Sequence, residues 1–144
     1  MISLREVNED NFDKCVKLEV AENQKNFVAA NMKSLAQAWI HYENARPFAI
    51  YNDDEMVGFI MFYIDEEKEP YLWRLMIDKN HQGKGYGRTA LKMAIEHFIN
   101  TINMTAVKTS LVPGNDGAES LYKSLGFEPT EEFEGDEIVM LLKL

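Results

Sequence analysis

Ile2 and Leu4 alternate with polar neighbours, which predicts a first strand over Ile2 to Val7. Asn8 to Asn11 offer helix caps, and Phe12, Val16 and Val20 recur at helical spacing, so a helix should follow. A second helix is expected near Met32 to Tyr42, with Leu35, Ala36, Trp39 and Ile40 on one face. Phe48 to Tyr51 and Met56 to Tyr63 flank Asn52-Asp53-Asp54-Glu55 and read as strand, tight turn, strand. Tyr71 to Ile77 is a further strand. From Gly87 onward the period changes. Leu91, Ala94, Ile95, Phe98, Ile99 and Ile102 fall at offsets of three and four, the clearest amphipathic helix in the chain. Ala106 to Leu111 is a strand closed by Pro113-Gly114. Ala118, Leu121, Tyr122 and Leu125 form another helical face, and Gly126 sits where a C-terminal cap belongs. Phe127 to Phe133 and Glu137 to Leu144 read as the last strands. Ile138 to Leu142 is apolar on both faces, so the final strand should lie inside a sheet.

The expected order is β-α-α-β-β-β-α-β-α-β-β, a mixed α/β sandwich of one sheet between helices. The sequence carries no repeat, low-complexity tract or Pro/Gly-rich linker, and its 144 residues suit a single domain. The acidic clusters Asp65 to Glu69 and Glu131 to Glu137 lie between apolar segments and read as solvated turns.

Charge narrows the partners. With 24 acidic and 15 basic residues the net charge is -9, which argues against nucleic acid, whose phosphates need Lys and Arg, and favours cationic partners. An apolar fraction of 46% excludes general disorder. Cys15 is the only cysteine, so an intrachain disulfide and a Cys-based metal site are excluded and a reducing cytoplasm is the expected compartment. The longest apolar stretch, Met56 to Ile64, is far short of the ~20 residues of a bilayer span, and the N-terminal residues lack a signal-peptide core. His41, His81 and His97 show no metal spacing.

The sharpest chemical feature is Gln82-Gly83-Lys84-Gly85-Tyr86-Gly87-Arg88-Thr89, which follows a strand and opens the best helix. A helix start exposes unpaired N–H groups and roughly half a positive charge. Glycines let that backbone approach a phosphate or pyrophosphate. The run G-x-x-x-x-G-K-[ST] is missing, and Arg88 occupies the third glycine position of G-x-G-x-x-G. A third pattern, Q/R-x-x-G-x-G/A, is met by Gln82, Gly85 and Gly87. Gly87, four residues before Leu91, would also let the helix start pack closely on the preceding strand.

This loop resembles the acetyl-CoA pyrophosphate loop of the GNAT acetyltransferase superfamily. The second half of that signature, N-x-x-A-x-x-L-Y-x-x-x-G-F, is matched by Asn115, Ala118, Leu121-Tyr122 and Gly126-Phe127. The resemblance implies a mixed, mostly antiparallel central sheet of six to seven strands flanked by about four helices. It implies acetyl-CoA as cosubstrate. Leu75, Met76 and Ile77 would pair with the pantetheine amides, the loop from Gln82 to Thr89 would hold the pyrophosphate, and Asn115 would face the cofactor arm. Tyr122 would protonate the departing CoA thiolate, although its helical face equally suits a half-buried core tyrosine. Members of the superfamily often form homodimers, and the apolar last strand offers a surface for such pairing.

The implied reaction is direct attack of an amine on the acetyl thioester. An alkyl ammonium must first lose a proton, at a cost of about 4–5 kcal/mol at neutral pH. Similar amine acetyltransferases carry a carboxylate on the strand where this chain has Trp73, followed by Arg74. Glu69, Glu19, Glu22 and Glu43 remain as candidate bases. Leu18 to Gln24, Pro47 and Trp73 to Asp78 are similar to bacterial spermine/spermidine acetyltransferases. That similarity implies a polyamine acceptor, with Glu19, Glu22, Glu43 and Trp73 as binding residues. A peptide or protein amino terminus, or an acyl-CoA-binding module without turnover, are the alternatives.

Overall fold

The computed structural model describes residues 1–144. Its elements are β1 (Ile2–Glu6), α1 (Phe12–Lys17), a 3-10 turn (Glu22–Gln24), α2 (Asn31–Ile40), β2 (Ala45–Asn52), β3 (Glu55–Tyr63), β4 (Tyr71–Ile77), α3 (Tyr86–Ile102), β5 (Ala106–Leu111), α4 (Asp116–Ser124), β6 (Glu128–Glu134) and β7 (Glu137–Lys143). The strands form one sheet in the order β1-β2-β3-β4-β5-β7-β6. Every pairing is antiparallel except β4 with β5. The element order, the mostly antiparallel sheet and the four helices agree with the sequence reading.

Alternation along the strands creates two cores. Ile50, Ile60, Phe62, Leu72, Val107 and Met140 pack beneath α3 and α4. Ala49, Phe59, Met61 and Met76 pack beneath α1 and α2, around Cys15. Burial raises the Cys15 thiol to about 11, so it stays protonated and packs as a small apolar group. No helix is long and apolar enough to cross a membrane.

Three local expectations need correction. The first helix ends at Lys17, so Val20 lies in the extended segment that follows it, and Phe12 is more exposed than buried Cys15. On α2 the inward residues are Asn31, Ser34, Leu35 and Ala38, whereas Trp39 and Ile40 are 76% and 71% exposed. Asn31 explains the reversal, because its Nδ2 donates to the Cys15 carbonyl at 2.9 Å. A buried polar residue with a partner is invisible to a search for apolar periodicity. Finally, β7 lies between β5 and β6, as its two apolar faces predict, so it has no free edge with which to pair across a dimer interface.

The fork between β4 and β5 dominates the architecture. Their ladder consists of Tyr71 opposite Lys108 and Leu72 opposite Thr109, and then the strands part. One cause lies on the other side of β4. Met61 of β3 faces Arg74 and Phe62 faces Leu72, so Trp73 is an extra, bulged residue. A bulge bends and twists its strand at that point. Thr109 Oγ1 donates to the Leu72 carbonyl at 3.0 Å and closes the apex of the fork. Beyond it, β4 is held to β3 through Gly58 opposite Ile77. A Cβ on Gly58 would overlap the Met76 carbonyl oxygen and approach Ile77 Cδ1 to 2.7 Å.

Gly58→Ala should therefore displace the end of β4. Overpacking of this kind costs about 1–3 kcal/mol, and chemical denaturation is expected to show a loss in that range. Gly114→Ala serves as a control. It has no neighbours within 4 Å, and its φ of +88° limits its cost to strain of about 1–2 kcal/mol.

Candidate active site

The glycine loop bends over the end of β4 with Gly83 and Gly85 at φ values of +80° and +81°, a left-handed conformation costly for other residues. The backbone N–H groups of Gln82 through Arg88 donate to no group of the chain. They sit at the N-terminus of the 17-residue helix α3. Free donors, open space at Gly83 and Gly85, and a helix dipole together suit a diphosphate.

Neighbouring side chains fix this loop. The Gln82 amide donates to the Ile77 carbonyl at 2.9 Å and pairs reciprocally with the Gln24 amide. Gln82 therefore braces the loop with its side chain and offers an anion only its backbone. Buried Asp78 accepts from the N–H groups of Glu19 and Asn80 at 3.0 and 3.2 Å. Asp78 escaped the sequence reading, which followed the glycines. Tyr86 accepts from Asn52 at its hydroxyl, and Arg88 donates to Ser124 Oγ of α4. Lys84 and Thr89 are exposed on the rim. A Cβ on Gly87 would meet Ile77 Cγ1 at 3.5 Å, an ordinary contact, so packing alone does not require glycine there.

A cleft of about 330 Å³ runs from this loop to the fork, bounded by Leu75, Met76, Ile77, Asn115, Ala118 and Tyr122. Past Leu72 the edge of β4 is unpaired with β5, so its amides are available to an amide-bearing chain laid alongside. Asn115 caps α4, its Oδ1 accepting from the Ala118 N–H at 3.4 Å, and lines the same cleft. Tyr122 is buried at the bottom of the fork beside the Thr109 hydroxyl. Burial raises its hydroxyl above the usual tyrosine value, partly opposed by Thr109. Tyr122 is therefore protonated at neutral pH and able to donate a proton.

A larger cavity opens on the other side of the fork and shares Phe27, Val28, Leu75, Asn115, Ala118 and Tyr122 with the first. Trp73 lines it, 5.6 Å from the His41 ring and 5.7 Å from Tyr63. Of the sequence-proposed acceptor residues only Trp73 is there. Glu19 binds Lys79 at 2.6 Å, and Glu22 binds Lys25 at 2.7 Å. Glu43 is exposed on the α2–β2 turn, where its carbonyl accepts from Arg46. Lys25, Lys33, Lys68 and Arg74 line the cavity, as do three carboxylates, Glu69, Glu134 and Glu137. The last two belong to a hairpin, Glu128 to Glu137, that contains six acidic residues and no basic one. That stretch had read as a mere solvated turn.

A helix start with unpaired N–H groups on one side of a forked sheet and a second cavity on the other leave room for two substrates to meet. The Acetyltransferase (GNAT) family model matches residues 10–127. A probable spermine N(1)-acetyltransferase of Bacillus subtilis subsp. natto is 30% identical, with 96% of this chain and 97% of that protein covered. PaiA N-acetyltransferase from Thermoplasma acidophilum, solved in complex with coenzyme A, has a similar fold with TM-score 0.77 and 16% identity, covering 100% of this chain and 99% of that one. Spermidine N-acetyltransferase from Vibrio cholerae, solved with CoA and spermine, has TM-score 0.75 and 19% identity, covering 99% of this chain and 95% of that one. The chain belongs to the acetyltransferase (GNAT) family, whose cosubstrate is acetyl-CoA.

Gly85→Ala puts a side chain on a left-handed residue in the loop. Calorimetric titration with CoA is expected to show at least about tenfold weaker binding, equivalent to one lost charge-assisted hydrogen bond.

Proposed function

We propose that this chain is a polyamine N-acetyltransferase, acting as one domain and moving acetyl from acetyl-CoA to a primary amine of spermidine or spermine by direct attack. The acidic hairpin carries this reading: it brings Glu134 and Glu137 into a cavity that also holds Glu69 and the cations Lys25, Lys33, Lys68 and Arg74, and each carboxylate is a partner for one ammonium group of a polyamine. The 30% identity to a probable spermine acetyltransferase over nearly the whole chain supports it.

Each part of the site has one task in this scheme. The N–H groups of Gln82 to Arg88 hold the pyrophosphate, and Leu75, Met76 and Ile77 align the pantetheine arm. Binding both substrates in one cleft supplies proximity. A β4 backbone N–H near Met76 stabilises the charge that develops on the thioester oxygen. Tyr122 gives its proton to the leaving thiolate and regains one from the nitrogen that has attacked. Trp73 offers its ring face to an ammonium.

One observation favours a second reading. Arg74 lines the acceptor cavity, and its buried Nε has no hydrogen-bond partner. That donor suits an acceptor with a carbonyl beside its amine, such as a peptide amino terminus. Thiol release from acetyl-CoA, followed with spermidine, spermine and an N-terminal peptide, separates the two. Faster turnover of the polyamines supports the first reading, faster turnover of the peptide supports the second, and turnover of neither leaves an acyl-CoA-binding module.

Tyr122→Phe is expected to lower kcat about 100-fold, the ordinary scale of a lost general acid, while the KM for acetyl-CoA changes little. Because the Tyr122 pKa is raised, the wild-type rate should show no loss from tyrosine ionisation below about pH 10.

A further inference from the structure

The chain lacks a carboxylate on β4, yet the acceptor ammonium must lose a proton before it can attack. The carboxylates that the sequence offered as bases are placed otherwise: Glu19 pairs with Lys79 and Glu22 with Lys25, Glu43 is exposed on the α2–β2 turn, and Glu69 lies 3.9 Å from a Lys108 ammonium that is closer to Glu132. Across the fork the arrangement differs. Ser110 of β5 donates from Oγ to Glu137 Oε1 of β7 at 2.9 Å. Ser110 lies opposite Val139, two residues along β7 from Glu137. Both residues line the acceptor cavity and are only partly exposed.

Tyr71 completes the group. Its hydroxyl is buried beside Ser110 but makes no hydrogen bond of good geometry. A buried hydroxyl without a partner, in the wall of a substrate cavity, points to a ligand. Burial raises its pKa, with Glu134, Glu137 and Glu132 adding to the effect and Ser110 opposing it. The other ionisable groups near Glu137 are Arg74 of β4 and Glu134, its partner across the hairpin, while Lys33 of α2 lines the same cavity.

We propose that Ser110 and Glu137 form the proton-accepting pair for the acceptor amine, with Tyr71 positioning that amine at Ser110. The ammonium N–H bond breaks and its proton passes to Ser110 Oγ as the Ser110 proton passes to Glu137 Oε1. The amine keeps the electron pair and attacks. Glu137 becomes a neutral acid and returns its proton to solvent at the mouth of the cavity. The second nitrogen proton leaves through Tyr122 to the thiol, so the reaction releases one proton overall. This inference rests on the amine-acetylating reading of the site but not on the acceptor being a polyamine.

The test measures kcat and KM from about pH 6 to pH 10 with whichever amine of the panel is acetylated. Ser110→Ala and Glu137→Gln should each lower kcat about 100-fold near pH 7, with the deficit shrinking as the amine approaches its own pKa of ~10.4. KM for the amine should change less than about threefold in Ser110→Ala. Ser110→Thr, which restores the hydroxyl, should recover most of the rate, and it separates loss of the relay from a folding defect. A Ser110→Ala enzyme with the wild-type pH profile would overturn the pair, as would a Glu137→Gln enzyme changed only in KM. Those results would leave a polyamine acceptor standing. Selective turnover of the peptide would remove the polyamine while leaving the pair open to the same measurements. Absence of turnover with every amine would sink both.

Discussion

The site exists because a parallel ladder is left unfinished. Strands β4 and β5 share a short pairing at Tyr71–Leu72 and Lys108–Thr109, after which their inner edges carry unpaired backbone groups. An unpaired amide left dry costs about 1–3 kcal/mol, so such a fork is stable only where water or another amide-bearing molecule can reach it. Several features set its shape. The Trp73 bulge turns β4 away, the Thr109 to Leu72 hydrogen bond limits how far the apex can open, and Gly58 keeps the far end of β4 tight against β3. The result is a passage through the sheet, and the two cavities meet in it.

The two sides of that passage present charge in different ways. On the α3 side, unsatisfied N–H groups and the helix dipole create a positive field without relying on charged side chains. The larger cavity instead carries side-chain charges of both signs, Glu69, Glu134 and Glu137 with Lys25, Lys33, Lys68 and Arg74. Net charge alone, at -9, describes neither side, because the chain's acidity is unevenly spread.

Much of the fold was legible because alternation and helical periodicity report burial directly. Tyr71–Ile77 and Ala106–Leu111 were bounded correctly from pattern alone, and the doubly apolar β7 was placed inside the sheet. The errors on α2 and under the glycine loop share a cause. Asn31 and Ser34 are buried on α2, Asp78 is buried under the loop, and each such polar side chain breaks the pattern that a periodicity search follows. The glycine loop was legible as a candidate phosphate cradle because glycine at a helix start has few other uses. The acceptor side was not. Its residues come from β4, β5 and the β6–β7 hairpin, and Ser110 and Glu137 are neighbours only because β7 inserts between β5 and β6.

That insertion also bears on why the hairpin is acidic. β6 is an edge strand, and charge on an exposed edge guards against pairing with another chain. Edge protection accounts for Glu131 and Glu132, which are exposed. It does not account for Glu137, which belongs to the interior strand β7, is partly buried and accepts a hydrogen bond from a serine inside the acceptor cavity. A carboxylate placed solely for solubility has no reason to hold that partner. Successive side chains of a strand point to opposite faces, so Glu137 and Val139 share the acceptor face while Ile138 joins the core under α3 and α4. The same two-residue period that buries the sheet's apolar face therefore sets a carboxylate on the other, where the acceptor cavity lies.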